Sequence, residues 1–435
     1  QLSNGMNVLF VNKPGLPKVA FGVLVRAGAV TDPSDKPGLA HMTASMLQEG
    51  TLTRSSHDIA EELEFLGTEI RSDVAREYIL LSSECLTSKW PKVLQVMADV
   101  VRNPNFPTHE LERVRKESLA GLDQIADNPM IIASRASRSL VYGPKTRYGH
   151  PATGNKQSVK AMTRSEMKRH YSGHYGPENA TFIVAGEVNK TEILSQAEAY
   201  FGDWTVQTSL VNTETQDTEK EPQPRTTIFL ADKPGTSQSV IRMGNITIPR
   251  HHPDYYALNL MNYIFGGQFS ARLNMNLRQD KGYSYGYMSS IDWSMGPSAI
   301  MVGGGVQTDT TKESITETLN EIADIQNQRP VSRKEFNTAR DGIIRALPSQ
   351  FETQIQTLMQ LVRLVVFNLP NDYFSSYVTN LKAVSLDDVL RMATEHLNSK
   401  HLKILVVGDK ETIEPGLREL NIPLVTVDYE GQELP

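Results

Sequence analysis

Followed for its rhythm of apolar and polar positions, the chain runs through the same pattern twice. After Lys13-Pro14-Gly15 come the β-branched and apolar residues of LPKVAFGVLVRAG; after Lys233-Pro234-Gly235, 220 positions on, come those of TSQSVIRMGNI. Alternation of such residues behind a Pro-Gly turn predicts a strand in each place. The ends of the two halves repeat as well. MTRSEMKRHYSGHYGPENATFIVAGEV aligns with VSLDDVLRMATEHLNSKHLKILVVGDK at a displacement of 222, pairing Thr163 with Ser385, Glu166 with Asp388, His174 with His396 and Gly186 with Gly408. Each reads as a helix opened by a capping box, followed by a buried strand that ends at glycine.

Between these signals lie long amphipathic helices, DIAEELEFLG and WPKVLQVMADVVRN in the first half, SITETLNEIADIQNQ and LDDVLRMATEHL in the second. SDVAREYILLSSE, residues 72–84, reads as one alternating strand. A repeat of this length is a duplicated domain rather than a solenoid, whose units span about 20–50 residues. The polar stretch TVQTSLVNTETQDTEKEPQPRTT separates the copies. The expected organisation is therefore a domain at 1–205, a linker at 206–227 and a homologous domain at 228–435. The expected class is α+β, with each domain a mostly antiparallel sheet covered by long helices.

Composition narrows the function. Of 435 residues 39% are hydrophobic and 22% charged, with a formal net charge of -6 and no long basic run. That argues against nucleic acid and anionic membrane surfaces as partners. No apolar run reaches the length of a membrane span, about 18 residues or more. Cys85 is the single cysteine, which excludes an intrachain disulfide and any thiolate-rich zinc or iron–sulfur site. The chain opens at Gln1 without an apolar leader, compatible with a targeting segment already removed.

The chemistry concentrates in two places. GLAHMTASMLQEGT, residues 38–51, reads as a helix start carrying His41. A zinc helix of the inverted His-x-x-Glu-His kind holds glutamate and histidine three and four positions after its first histidine, on one helical face. Here those positions are Ala44 and Ser45. The second place is FGGQFSARLNMNLRQDKGYSYGY. Ser270 is the expected cap of a helix from about Ala271, Arg278 falls in its last turns, Gly282 makes a left-handed turn, and Tyr285 starts a strand.

With these motifs the chain resembles the zinc metallopeptidases of the pitrilysin, insulinase and mitochondrial-processing-peptidase type. The resemblance runs from LSNGMNVLFVNKPG through VLVRAGAVTDPSDKPGLAHMTASMLQEGT to KILVVGD. It implies two homologous α+β domains forming half of a clamshell that closes, with a second chain, around unfolded peptides. It also implies that His41, Ala44 and Ser45 stand where the family keeps histidine, glutamate and histidine. In the helix ELERVRKESLAGLDQIADNP, the third-ligand position falls on Gly121 and its acidic companion on Val114. Glu117, one turn before Gly121, is the remaining carboxylate near His41; two ligands are too few for zinc. No metal is expected in this chain.

Arg278 and Tyr285, seven residues apart with Gly282 between, resemble the family's second motif, which faces the zinc of the partner subunit. A guanidinium and a phenol suit the oxygen of a peptide carbonyl under attack, where negative charge develops. Gly266, Gly267 and Phe269 resemble the glycine-rich segment with which a non-catalytic subunit handles substrate; two glycines ending one helix before the next is the simpler reading.

Elsewhere the reading is structural. His170 and His174, and His251 and His252, are expected as helix-end and loop histidines. MVGGGV, residues 301–306, lacks the Gly-Lys-Ser/Thr context of a phosphate loop and reads as a strand that another backbone approaches closely.

The expected function is a catalytically incomplete subunit of a heteromeric zinc metallopeptidase acting on unfolded peptides. Its partner is a homologous zinc-containing chain, to which this one lends Arg278 and Tyr285. The alternative is a non-enzymatic peptide-binding or assembly protein of the same fold. By analogy with exported bacterial relatives, the expected location is periplasmic.

Overall fold

The computed structural model describes residues 1–206, 208 and 225–434. Most of the expected linker at 206–227 lies outside the described residues. Gly15 and Gly235 both take positive φ, 119° and 74°, and turn the chain at the two repeats. The strands on either side of each turn do not pair with one another. β1 (Asn7–Asn12) and β2 (Lys18–Val25) are separated by β5 (Ala180–Gly186), parallel to β1 and antiparallel to β2. β6 (Thr227–Asp232) and β7 (Gln238–Thr247) are separated in the same way by β10 (Lys403–Gly408).

With β3 (Arg71–Val74) and β4 (Ile79–Leu86), the first sheet has the order β1-β5-β2-β4-β3. With β8 (Ser284–Asp292), β9 (Ser298–Gln307) and β11 (Leu424–Val427), the second has the order β11-β6-β10-β7-β9-β8. Five strands of the second sheet repeat the first. Even the register is kept: Asn7 faces Thr181 in one and Thr227 faces Lys403 in the other, the displacements of 220 and 222 read from sequence. Both capping boxes are formed, Thr163 with Glu166 and Ser385 with Asp388. This is the α+β architecture of two duplicated sheets.

Contacts divide the chain into two units, each discontinuous in sequence. One holds Gln1–Leu122, the chain from Pro151 up to the linker, and Ala346–Asn371; the other holds Asp123–His150, the chain from the linker to Arg345, and Asp372 onward. Each unit thus takes one helix from the other half. Gln354–Val366 packs on β2 and β5, and Pro129–Tyr142 packs on β7 and β10. Ile132, Ala133 and Ala136 of the latter meet Val240, Leu405 and Val407.

These covering helices explain a difference from expectation. β2 does not alternate but is buried from Val19 to Val25, because helices cover both faces of its sheet. A second difference lies at residues 72–84, which form the β3–β4 hairpin rather than one strand. Ala75 N–H donates to Tyr78 O (2.9 Å), and Ala29 and Val30 N–H donate to Ala75 O (3.1 Å) and Arg76 O (2.8 Å). The Ala29–Val30 segment thereby holds the turn. Cys85 is buried, and burial pushes its thiol up to about 12, leaving it unreactive.

The glycine run of β9 answers to close approach. A Cβ at Gly303, where φ is +152°, would lie 1.9 Å from Ile241 O; one at Gly304 would lie 2.2 Å from Gly286 O. At Gly305 the nearest atom is the Gln238 Oε1, at 3.3 Å. Gly303→Ala is expected to cost at least about 2 kcal/mol, whereas Gly305→Ala stays within about 1 kcal/mol. Urea titration of both variants checks this contrast.

Candidate functional site

His41 lies in the first turn of the helix Leu39–Met46, which starts at Gly38 in the left-handed conformation. Asp32 caps that turn from a distance, its carboxylate accepting from Gly38 N–H and Ala40 N–H, both at 2.7 Å. Burial lowers the His41 pKa while the Asp32 charge opposes it, so the imidazole is neutral at pH 7. Its Nδ1 is buried and makes no hydrogen bond among the described residues.

The remaining positions of a zinc site point elsewhere. Ala44 is fully buried in the core, and the Ser45 hydroxyl is turned back onto His41 O at 2.9 Å. The helix Thr108–Ile125 meets the His41 helix through Ser118 Oγ and Met42 Sδ, 3.3 Å apart. Val114 is buried, whereas Gly121 is exposed, and a Cβ built on it would meet nothing within 4 Å. Glu117 is directed to Arg113 at 2.8 Å; Arg113 also pairs with Glu110 and Glu49. Among the described residues no group of three or more His, Cys, Asp or Glu could hold a metal ion. The residues present at this place do not fit zinc, which needs three protein ligands or more.

Arg278 and Tyr285 come from one short segment with unusual geometry. The helix over Arg272–Asn274 widens at once into a π-turn at Met275–Asp280 that carries Arg278. Such turns occur disproportionately at functional sites. Ala271, not Ser270, occupies the cap, and no side chain bonds there. The entry is instead fixed by Arg272, which donates to both Glu335 oxygens (2.8 and 2.9 Å). Gly282 turns the chain with φ 70°, as expected. Tyr283 N–H then donates to Leu277 O at 2.8 Å, tying the start of β8 to the π-turn.

Tyr285 is the extra residue of a β-bulge, since Ser284 faces Val306 and Gly286 faces Gly305. The bulge leaves its phenol 87% exposed, the kind of re-aiming that bulges produce. The Arg278 guanidinium stacks over the Phe269 ring, 4.5 Å from its centroid. It makes no hydrogen bond or ion pair among the described residues.

The glycine segment has a packing role. Gly266 closes the helix Tyr255–Phe265, and a Cβ there would fall 2.5 Å from Ser289 Oγ. At Gly267 a Cβ would lie 2.9 Å from Tyr263 Cα. The close approach lets Ser289 N–H donate to Gly266 O at 2.9 Å. Asn274, which sequence reading missed, completes this seam: its amide donates to Phe269 O (2.7 Å) and accepts from Tyr287 N–H (3.1 Å). β8 is an edge strand, and these bonds take up the N–H groups of Tyr287 and Ser289 on its outer side. Phe269, 56% exposed, belongs to the same segment and positions Arg278.

Of the histidine pairs singled out in the sequence, His170 and His174 pack, whereas His251 is exposed and His252 half-buried in its loop. His170 and His174 stack 4.5 Å apart, His170 Nε2 pairs with Thr31 Oγ1 at 2.8 Å, and burial pushes His170 down to about 3. His252 Nδ1 accepts from Asp254 N–H at 3.1 Å.

Two measurements check this geometry. Gly121→Ala, in an exposed helical position, is expected to stabilise the chain by about 0.5–1 kcal/mol; destabilisation would mean that something packs there. Burial raises the Glu335 pKa, and hydrogen bonds from Arg272 and Ser332 outweigh it, bringing the carboxyl down to about 2. A carboxylate with a depressed folded pKa adds stability above its unfolded value, and that stability disappears as pH falls through the folded value. Unfolding curves of the chain and of Glu335→Gln should therefore converge between pH 4.5 and 2.

Comparison with known proteins places this geometry. Residues 7–142 match the family profile described as Insulinase (Peptidase family M16), and residues 161–343 match the one described as Peptidase M16 inactive domain. The uncharacterized zinc protease YmxG of Bacillus subtilis is 21% identical over 93% of this chain and 96% of its own length. Among solved structures, the peptidase M16 inactive domain from Pseudomonas fluorescens superposes with a TM-score of 0.85 at 24% identity, covering 94% of this chain and 96% of that one. A chain of Complex III2 from Candida albicans does so with a TM-score of 0.78 at 14% identity, covering 97% and 98%. The chain belongs to the insulinase family of peptidases, family M16.

Proposed function

We propose that this chain is the non-metal subunit of a two-chain peptidase and offers Arg278 and Tyr285 to a zinc-containing homologous partner. The observation that carries the reading is the pair itself. A guanidinium held on Phe269 and a phenol lifted into solvent by a bulge are two donors with no hydrogen-bond partner among the described residues. In a site closed by the partner they would donate to the carbonyl oxygen of an unfolded peptide as it gains negative charge. There they act without reorganising at the moment of reaction. Generating the nucleophile falls to the partner, since His41, Ala44, Ser45 and Gly121 cannot assemble a ligand set.

Because the same fold occurs in a chain of Complex III2, a binding or assembly role without catalysis is the reading an experiment must exclude. The test mixes this chain with a homologous chain that keeps the complete zinc motif and follows hydrolysis of an unfolded peptide. The mixture is expected to exceed the zinc chain alone. Tyr285→Phe in the mixture is expected to lower kcat by about 10²-fold, while thermal stability stays within about 0.5 kcal/mol for so exposed a residue. A mixture no faster than the zinc chain, or a Tyr285→Phe mixture at the original rate, contradicts the proposal.

A further inference from the structure

Beneath the helix Pro129–Tyr142, a cavity of about 280 Å3 opens between that helix and strands β7, β8 and β9. It is lined by two guanidinium groups, Arg138 from the helix and Arg242 from the middle of β7, and by the hydroxyls of Ser134, Ser137 and Ser290. Arg138 is paired with Asp292 across the cavity. Arg242 has no such carboxylate: among the described residues its guanidinium makes no hydrogen bond or ion pair. Two half-buried cations therefore face one anion, in a space whose rim at Ser134 and Ser290 is open to solvent. A half-buried charge without a counter-charge carries part of the cost of desolvation, and burial lowers the Arg242 pKa accordingly.

The duplicated sheets show that the fold does not require this arginine. Arg242 faces Gly303 and Leu405 across its neighbouring strands; the matching position of the first sheet is Gly22, facing Ser82 and Ile183. The sister sheet does without any side chain there. A charged residue placed in a central strand, with room beside it, needs a reason in ligand chemistry.

We infer that this cavity is a binding site for a compact oxyanion, a carboxylate or phosphate group. Arg242 holds it through the fork of its guanidinium, the hydroxyls of Ser134 and Ser290 donate to it while that of Ser137 is turned to Ser134 O at 3.3 Å, and Arg138, already neutralised by Asp292, closes one side. The space takes such a group with room left for the molecule that carries it. Ser290 lies on β8, five residues beyond Tyr285, so the terminal carboxylate of a peptide is one source of the group and a free ion is the other. Binding is independent of the proposed catalytic partnership, because its test needs neither a partner nor turnover.

The test is titration calorimetry of the full chain, at constant ionic strength, with three probes: inorganic phosphate, an unfolded peptide with a free C-terminal carboxylate, and the same peptide amidated. Saturable one-to-one binding of phosphate or of the free-acid peptide is expected, with none for the amide. Phosphate alone identifies a free ion as the source, and the free-acid peptide identifies a chain terminus. Arg242→Met is expected to weaken binding about tenfold or more, the loss typical of a hydrogen-bonded charge. If that variant does not fold, Ser290→Ala, at an exposed position, is expected to weaken it severalfold. No saturable binding by the unaltered chain, or unchanged affinity in the folded variant, overturns the inference.

Discussion

One polar seam governs what the second sheet offers to solvent. The Asn274 amide bridges Phe269 O and Tyr287 N–H, and Ser289 N–H reaches Gly266 O. An edge strand with free N–H and C=O groups invites another strand to pair with it. Here the N–H groups of Tyr287 and Ser289 are spent on the segment that precedes the π-turn, which fixes the middle of β8 at its outer side. The same seam sets Phe269 beneath Arg278 and leaves Tyr285 as the residue that the ladder skips.

The first unit differs in kind. There His41 sits in a helix held by Asp32 and by core contacts, neutral and with one ring nitrogen unbonded among the described residues. Nothing around it gathers a second and third ligand: the hydroxyl of Ser45 is committed to its own helix and the carboxylate of Glu117 to Arg113. The helix that approaches it brings a serine against a methionine rather than a carboxylate. The two units have thus kept one topology while diverging in chemistry. One sheet carries a guanidinium over Phe269 and an exposed phenol, while beside the other the side chains near His41 are committed elsewhere.

Much of this is legible in the sequence. The KPG repeats and the paired capping boxes gave a duplication that the strand registers repeat residue for residue, because a capping box and a β-branched run are local signals. The left-handed turn at Gly282 was legible for the same reason. What escaped depends on contacts between distant residues. The hairpin at Arg71–Leu86 forms because the Ala29–Val30 segment holds its turn. The cap at Ala271 replaces Ser270 because Arg272 is drawn to Glu335. The exchange of helices, Pro129–Tyr142 to one sheet and Gln354–Val366 to the other, leaves no mark in hydrophobic periodicity at all. Asn274 was invisible because a buried amide carries no pattern of its own, and Arg242 because an isolated arginine in a strand looks like surface.

The central claim is a division of labour between two chains, with the metal on only one of them. Native mass spectrometry of this chain alone, and of its mixture with a homologous chain that keeps the zinc motif, tests it in one experiment. The account predicts a metal-free species for the chain alone and, in the mixture, a one-to-one complex carrying a single zinc ion. Stoichiometric zinc on this chain by itself, or a mixture in which the two chains never associate, would contradict it.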